Sequence, residues 1–180
     1  MPTTPQRDSP AQSRHSLDRR QRALLVLHGV GLVISAALSG WLYFFHLLGS
    51  VELWPLFNEI PADIPGDRRA WNMAHLEGIT NGVLLMAVAA CAPFLRLSTR
   101  TAKVLFWSCP IFGWGFTLPA IANAWFGTRG LAMGGGPFGG SLANDLIFLS
   151  GWPPMIAAHV AFVLLAMGAW RGYRSVAAAA

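Results

Sequence analysis

Four long stretches of this chain contain no Asp, Glu, Lys or Arg. They lie between Arg22 and Glu52, Glu77 and Arg96, Lys103 and Arg129, and Asp145 and Arg171. A helix needs about 20 apolar residues to cross hydrocarbon. Each stretch reaches that length, the second once its helix begins near Trp71 and takes in His75 and Glu77. In lipid, backbone polar groups must be satisfied within the segment, which makes such runs helical. The expected fold class is therefore all-α, an integral membrane bundle of four transmembrane helices at about 23–49, 71–95, 103–127 and 145–171. Only 12% of the 180 residues are charged and 54% are hydrophobic, whereas a soluble domain is about a quarter charged.

The sparse charge sets the topology. Residues 1–22 hold Arg7, Arg14, Arg19, Arg20 and Arg22 among three prolines and read as a disordered basic cytoplasmic tail. Residues 174–180 read as a frayed end, leaving 23–173 as the membrane domain. Arg96, Arg100, Lys103, Arg171 and Arg174 fall on the same side as the tail, against Arg68, Arg69 and Arg129 on the other. Basic residues favour the inside, so both termini are expected in the cytoplasm and the protein in a bacterial-type inner membrane, crossed several times. Trp41, Tyr43, Trp54 and Trp125 fall near the outer interface, where such rings settle. The basic residues form no stripe with interleaved aromatics, so the expected partner is the lipid bilayer and no nucleic acid. Cys91 and Cys109 lack any CxxC or Cys/His spacing and read as inert thiols, which excludes zinc and iron–sulfur sites. The glycine-rich run Gly134–Gly140 lacks the Gly-Lys-Ser/Thr ending of a phosphate loop. It reads as a bent outer connection, with Asp145 capping the fourth helix.

Ionisable groups at membrane depth are costly and mark sites. The stretch Trp71–Gly82 brings His75, Glu77 and Asn81 into such a position. At about 100° per residue, Gly78 and Gly82 share a face with His75. A histidine above a bare groove suits a flat ligand held by nitrogen; a small-xxx-small packing face is the competing reading. Glu77 points elsewhere, toward the outer headgroups. Depth counted at about 1.5 Å per residue puts His46, His75 and Asn123 in one outer layer and Asn81 about 9 Å deeper. His28 and His46 read as interfacial, and mid-membrane His159 as one end of an interhelical hydrogen bond. A four-helix unit with an outer-layer histidine suits haem b, held without covalent attachment because no CxxCH occurs. Paired ligation by His46 and His75 gives the alternative, a non-catalytic bis-histidine cytochrome b that carries electrons in the membrane.

Short matches recur in order along most of the chain: His28-Gly29, Gly40-Trp41, Gly49 with Glu52 and Pro55, Ala74-His75 and Asn81-Gly82. They continue with Gly113-Trp114, Arg129-Gly130-Leu131, Phe138-Gly139, Asp145 and Leu165-Ala166-Met167-Gly168-Ala169. Through them the chain resembles the styrene oxide isomerase family, small haem-b-dependent membrane enzymes. The resemblance implies a homotrimer with haem near subunit boundaries, His75 as the axial ligand of the iron and Asn81 as the catalytic amide near the open haem face. The implied reaction is a Meinwald-type rearrangement of a hydrophobic epoxide to an aldehyde, with ferric iron as the Lewis acid. Gly78 and Gly82 would cradle the haem. The family pattern also has an aspartate and a tyrosine on the third helix, and Phe112 and Ala120 stand there in this chain. Together with Asn123 these are the expected pocket-lining residues, of a site more apolar and roomier than the family's, with an altered substrate.

Overall fold

The computed structural model describes residues 17–178. Helix α1 (Arg19–Leu48) starts four residues before the expected position, because Asp18 and Gln21 form a reciprocal capping box at its N-terminus. Such a box satisfies two otherwise orphaned backbone donors. Leu17, expected in the tail, is buried against the bundle's inner core; residues 1–16 of the tail expected over 1–22 lie outside the described residues. A short antiparallel hairpin follows, β1 (Ser50–Leu53) and β2 (Phe57–Pro61). The expected all-α bundle includes no strand here. Helix α2 (Arg68–Cys91) begins where Asp67 accepts from the amides of Arg69 and Ala70.

Helix α3 (Thr99–Phe126) is capped by Ser98 and ends at Gly127 in the left-handed region. The fourth span is broken into α4 (Leu142–Ser150) and α5 (Trp152–Ala177). Gly151-Trp152-Pro153-Pro154 explains the break, since neither proline has an N–H to give to the preceding turn. Ser141, not Asp145, caps α4; the Asp145 carboxylate instead accepts from the Gly134 amide at 2.7 Å, pinning the glycine-rich connection.

Four helical spans are long and apolar enough to cross a membrane. Large apolar side chains such as Leu27, Ile34, Leu38 and Trp107 lie on the outside, which suits lipid. Inside, α1 and α2 meet along a seam of small residues. A Cβ on Gly82 would lie 2.6 Å from the Gly29 carbonyl, and one on Gly29 would lie 2.7 Å from that of Gly82. Such close backbone approach is how membrane helices associate when apolar burial no longer discriminates. The inner core is apolar, built around Leu32, Leu85, Leu105 and Phe112. A smaller outer cluster holds Trp71, Ala74, Ala120 and Ala124.

Candidate functional site

His75 sits on α2 with its ring laid against α1. Its Nδ1 lies 2.8 Å from the Ala36 carbonyl. A carbonyl only accepts, so Nδ1 carries a proton, and in the neutral tautomer that this bond selects the lone pair is on Nε2. The ring fits there because α1 has a glycine opposite: a Cβ on Gly40 would stand 2.7 Å from Nδ1. Metal-binding imidazoles are oriented in this way, with the second nitrogen bound to a carbonyl. The donor set thus fits a haem iron.

The groove expected below His75 is filled. A Cβ on Gly78 would meet Ala36 at 2.8 Å, and one on Gly82 would meet Val33 at 2.8 Å as well as the Gly29 carbonyl. Gly78 and Gly82 therefore form the packing seam with α1 and leave no slot for a flat ligand. The glycines were placed on the right face; the face is occupied by α1.

Asn81 is buried and turned toward α3. Its amide nitrogen donates to Thr117 Oγ1 at 3.2 Å and reaches the Gly113 carbonyl at 3.5 Å. The second distance lies beyond the usual range for N–H···O, so one amide proton is weakly engaged. Six residues at about 100° each turn Asn81 roughly a third of a circle from His75. Glu77, four residues before Asn81, shares Asn81's face instead.

Above Asn81, at the outer end of α2, α3, α4 and α5, lies a cavity of about 500 Å³. Its apolar wall includes Met73, Phe116, Ala120, Phe148 and Trp152. Its polar lining includes Glu77, Asn123 and Arg129. Ala120 and Asn123 line it. Phe112 does not: it is fully packed in the core, 6.1 Å from the ring of Phe162. Phe112 lies about two turns inward from Ala120, too deep to reach the cavity.

Loop residues the sequence left unassigned shape the mouth. Arg129 pairs with Asp67 at 3.3 Å and lies over the Phe138 ring. Buried Asn144 donates to the Ala132 carbonyl and accepts from the Gly130 amide. Their signal in the sequence was slight, an arginine and an amide beside glycines.

The remaining histidines among the described residues are dispersed. His46 Nδ1 bonds the Ile64 carbonyl at 2.8 Å, about 9 Å further out along α1 than Gly40. It therefore does not share the depth of His75, and a paired ligation within one chain finds no common space. His28 accepts from the Trp114 indole at 3.2 Å, an interhelical bond where an interfacial position was expected. His159 is exposed and, among the described residues, bonds only the Met155 carbonyl of its own helix, not a neighbouring one. Cys91 and Cys109 are both free. Among the described residues no cluster of three or more His, Cys, Asp or Glu stands ready for a bare metal ion.

A model of the family described as styrene oxide isomerase matches residues 21–170, from the first turn of α1 to the last turns of α5. The chain belongs to the styrene oxide isomerase family. It is also 27% identical over 156 residues to a styrene-oxide isomerase of Pseudomonas fluorescens, covering 86% of this chain and 85% of that one. The styrene oxide isomerase match takes in His75, Glu77, Asn81, Ala120 and the loop at Arg129, so the seam and the cavity both lie within the family region. This supports an epoxide-isomerase-like activity for a membrane protein.

Proposed function

We propose that the chain is a haem-b-dependent membrane isomerase that rearranges an apolar epoxide to an aldehyde. It works as a homo-oligomer, a trimer by family resemblance, with both termini in the cytoplasm and its bundle in the inner membrane. The observation that carries this reading is the Nδ1–H of His75 donating to Ala36, which leaves Nε2 free to hold the iron. Bound there, haem b would supply a ferric Lewis acid for the epoxide oxygen.

The chain's own groups do the rest. The apolar cavity wall of Phe116, Phe148 and Trp152 keeps out water, which would trap an electron-poor carbon as a diol. Asn81 does not itself line that cavity; its weakly engaged amide proton is the donor assigned here to negative charge developing on oxygen. His75 and the cavity lie on different faces of α2, so one chain alone does not bring them together. The homo-oligomer proposed here would bring them together by setting the imidazole edge of one copy against the cavity of the next. Ala120 in the cavity wall leaves space where the family has a tyrosine, which favours a bulkier substrate than styrene oxide.

The test is a pyridine haemochrome assay on wild type and His75→Ala, followed by an epoxide panel. Wild type is expected to hold haem b and turn over at least one aryl epoxide. His75→Ala is expected to lose most of its haem. Full haem retention in that variant overturns the ligand, and a haem-loaded protein inert toward every epoxide overturns the reaction.

A further inference from the structure

We propose that Glu77 is the specificity-determining residue of the outer cavity, and that it selects aryl epoxides carrying a hydroxyl or amine donor away from the epoxide ring. For the reaction this rests on the isomerase reading above. For binding it rests on the cavity alone.

A cavity of about 500 Å³ has the size of a small-molecule site, and such sites combine apolar walls with a few placed polar groups. Most polar groups here are already engaged. Asn123 accepts from the Thr128 hydroxyl and donates to the Arg129 carbonyl, and Arg129 pairs with Asp67. Glu77 lines the cavity and is half-buried. Among the described residues its carboxyl group accepts no hydrogen bond and makes no ion pair. Its oxygens are not sealed in protein either, so they remain open to a ligand.

Two further features place an acceptor group there. Glu77 is one turn outward of Asn81 on the same face, directly above the amide assigned to the substrate oxygen. Gly115 and Pro119 both line the cavity; Pro119 has no N–H, so the Gly115 carbonyl lacks its helical donor. The nearest other charged lining groups, Arg69 and Arg129, belong to the mouth; Arg69 lies about 12 Å from Glu77 along α2. A hydrocarbon or a plain aryl epoxide has no donor and would bury these acceptors unpaired. That penalty, more than the bond itself, is what lets a polar site reject a ligand lacking the matching group.

The test compares hydroxymethyl- and ethyl-substituted styrene oxides, nearly equal in shape, on the haem-loaded protein. Wild type is expected to favour the hydroxymethyl compound in kcat/KM by about tenfold, chiefly through KM. Glu77→Leu is expected to bring the ratio close to one, and Glu77→Gln to keep part of it, because its amide oxygen still accepts. A separate readout needs no turnover: thermal stabilisation of the protein by phenylbutanol against butylbenzene. Phenylbutanol is expected to stabilise wild type at a lower concentration, and Glu77→Leu to lose the difference. An unchanged ratio in Glu77→Leu, or equal stabilisation of wild type by both probes, overturns the inference. If neither epoxide reacts, the isomerase reading falls, and the phenylbutanol comparison still decides the role of Glu77. If Glu77→Leu does not fold, wild type and Glu77→Gln settle it.

Discussion

At Gly82 the chain leaves no room for a methyl group. A Cβ there would meet the Gly29 carbonyl at 2.6 Å and Val33 at 2.8 Å, and the carbonyl belongs to rigid helical backbone. Gly82→Leu is expected to force α1 from α2 and lower stability by about 3 kcal/mol or more, read as a fall in melting temperature in detergent. Val83→Leu next to it, on the exposed face, is the control and should melt like wild type. Equal melting of the two variants would rule out the seam. The same residues show how far sequence reasoning reached. Helical spacing placed Gly78, Gly82 and His75 on one face, but spacing has no means of saying whether a groove is empty or filled by another helix. Ala36 and Gly40 lie nearly forty residues away in the chain, and only packing brings them under His75.

At the level of elements, the outer end of α2 and the loop after α3 are tied through one side chain. Asp67 caps α2 through Arg69 and Ala70 and also binds Arg129. Loss of such a cap costs about 1 kcal/mol, and a partly exposed ion pair contributes less than about 1 kcal/mol. Asp67→Ala should lose both and Asp67→Asn only the pair, because asparagine still caps. Thermal melts should therefore rank wild type, Asn and Ala in falling order, with the larger step at Ala. Limited proteolysis of the Thr128–Gly140 connection should quicken in both variants, and unchanged cleavage would remove Arg129 from the role of tether. The break between α4 and α5 was legible in Gly151-Trp152-Pro153-Pro154, yet the apolar run through it reads as one uninterrupted span. Hydropathy measures affinity for lipid, whereas continuity of a helix depends on backbone donors, and the prolines remove two.

For the whole molecule, the proposed site needs two copies. Chains carrying His75→Ala and Asn81→Leu are each expected to be inactive alone. Co-expressed with separate tags and purified together, they should recover a measurable share of wild-type turnover, since some interfaces would pair an intact His75 with an intact Asn81 face. No recovery from a mixed oligomer that still binds haem would show that each chain carries a complete site. The all-α membrane bundle followed from the sequence alone, because lipid imposes helix on any long uncharged run and length then counts the spans. The family, too, was legible, since short motifs in a fixed order are a property of the chain and not of its folding. His75 stood out for the same reason, as a costly group in an apolar setting. The tertiary structure decided which groups meet. It gave the glycine face to α1, carried Asn81 to Thr117, buried Phe112 in the core, and opened a cavity beside Glu77, a residue whose spacing had pointed only to the headgroups. Those outcomes depend on how close two backbones approach, and that distance is set jointly by side chains far apart in the chain.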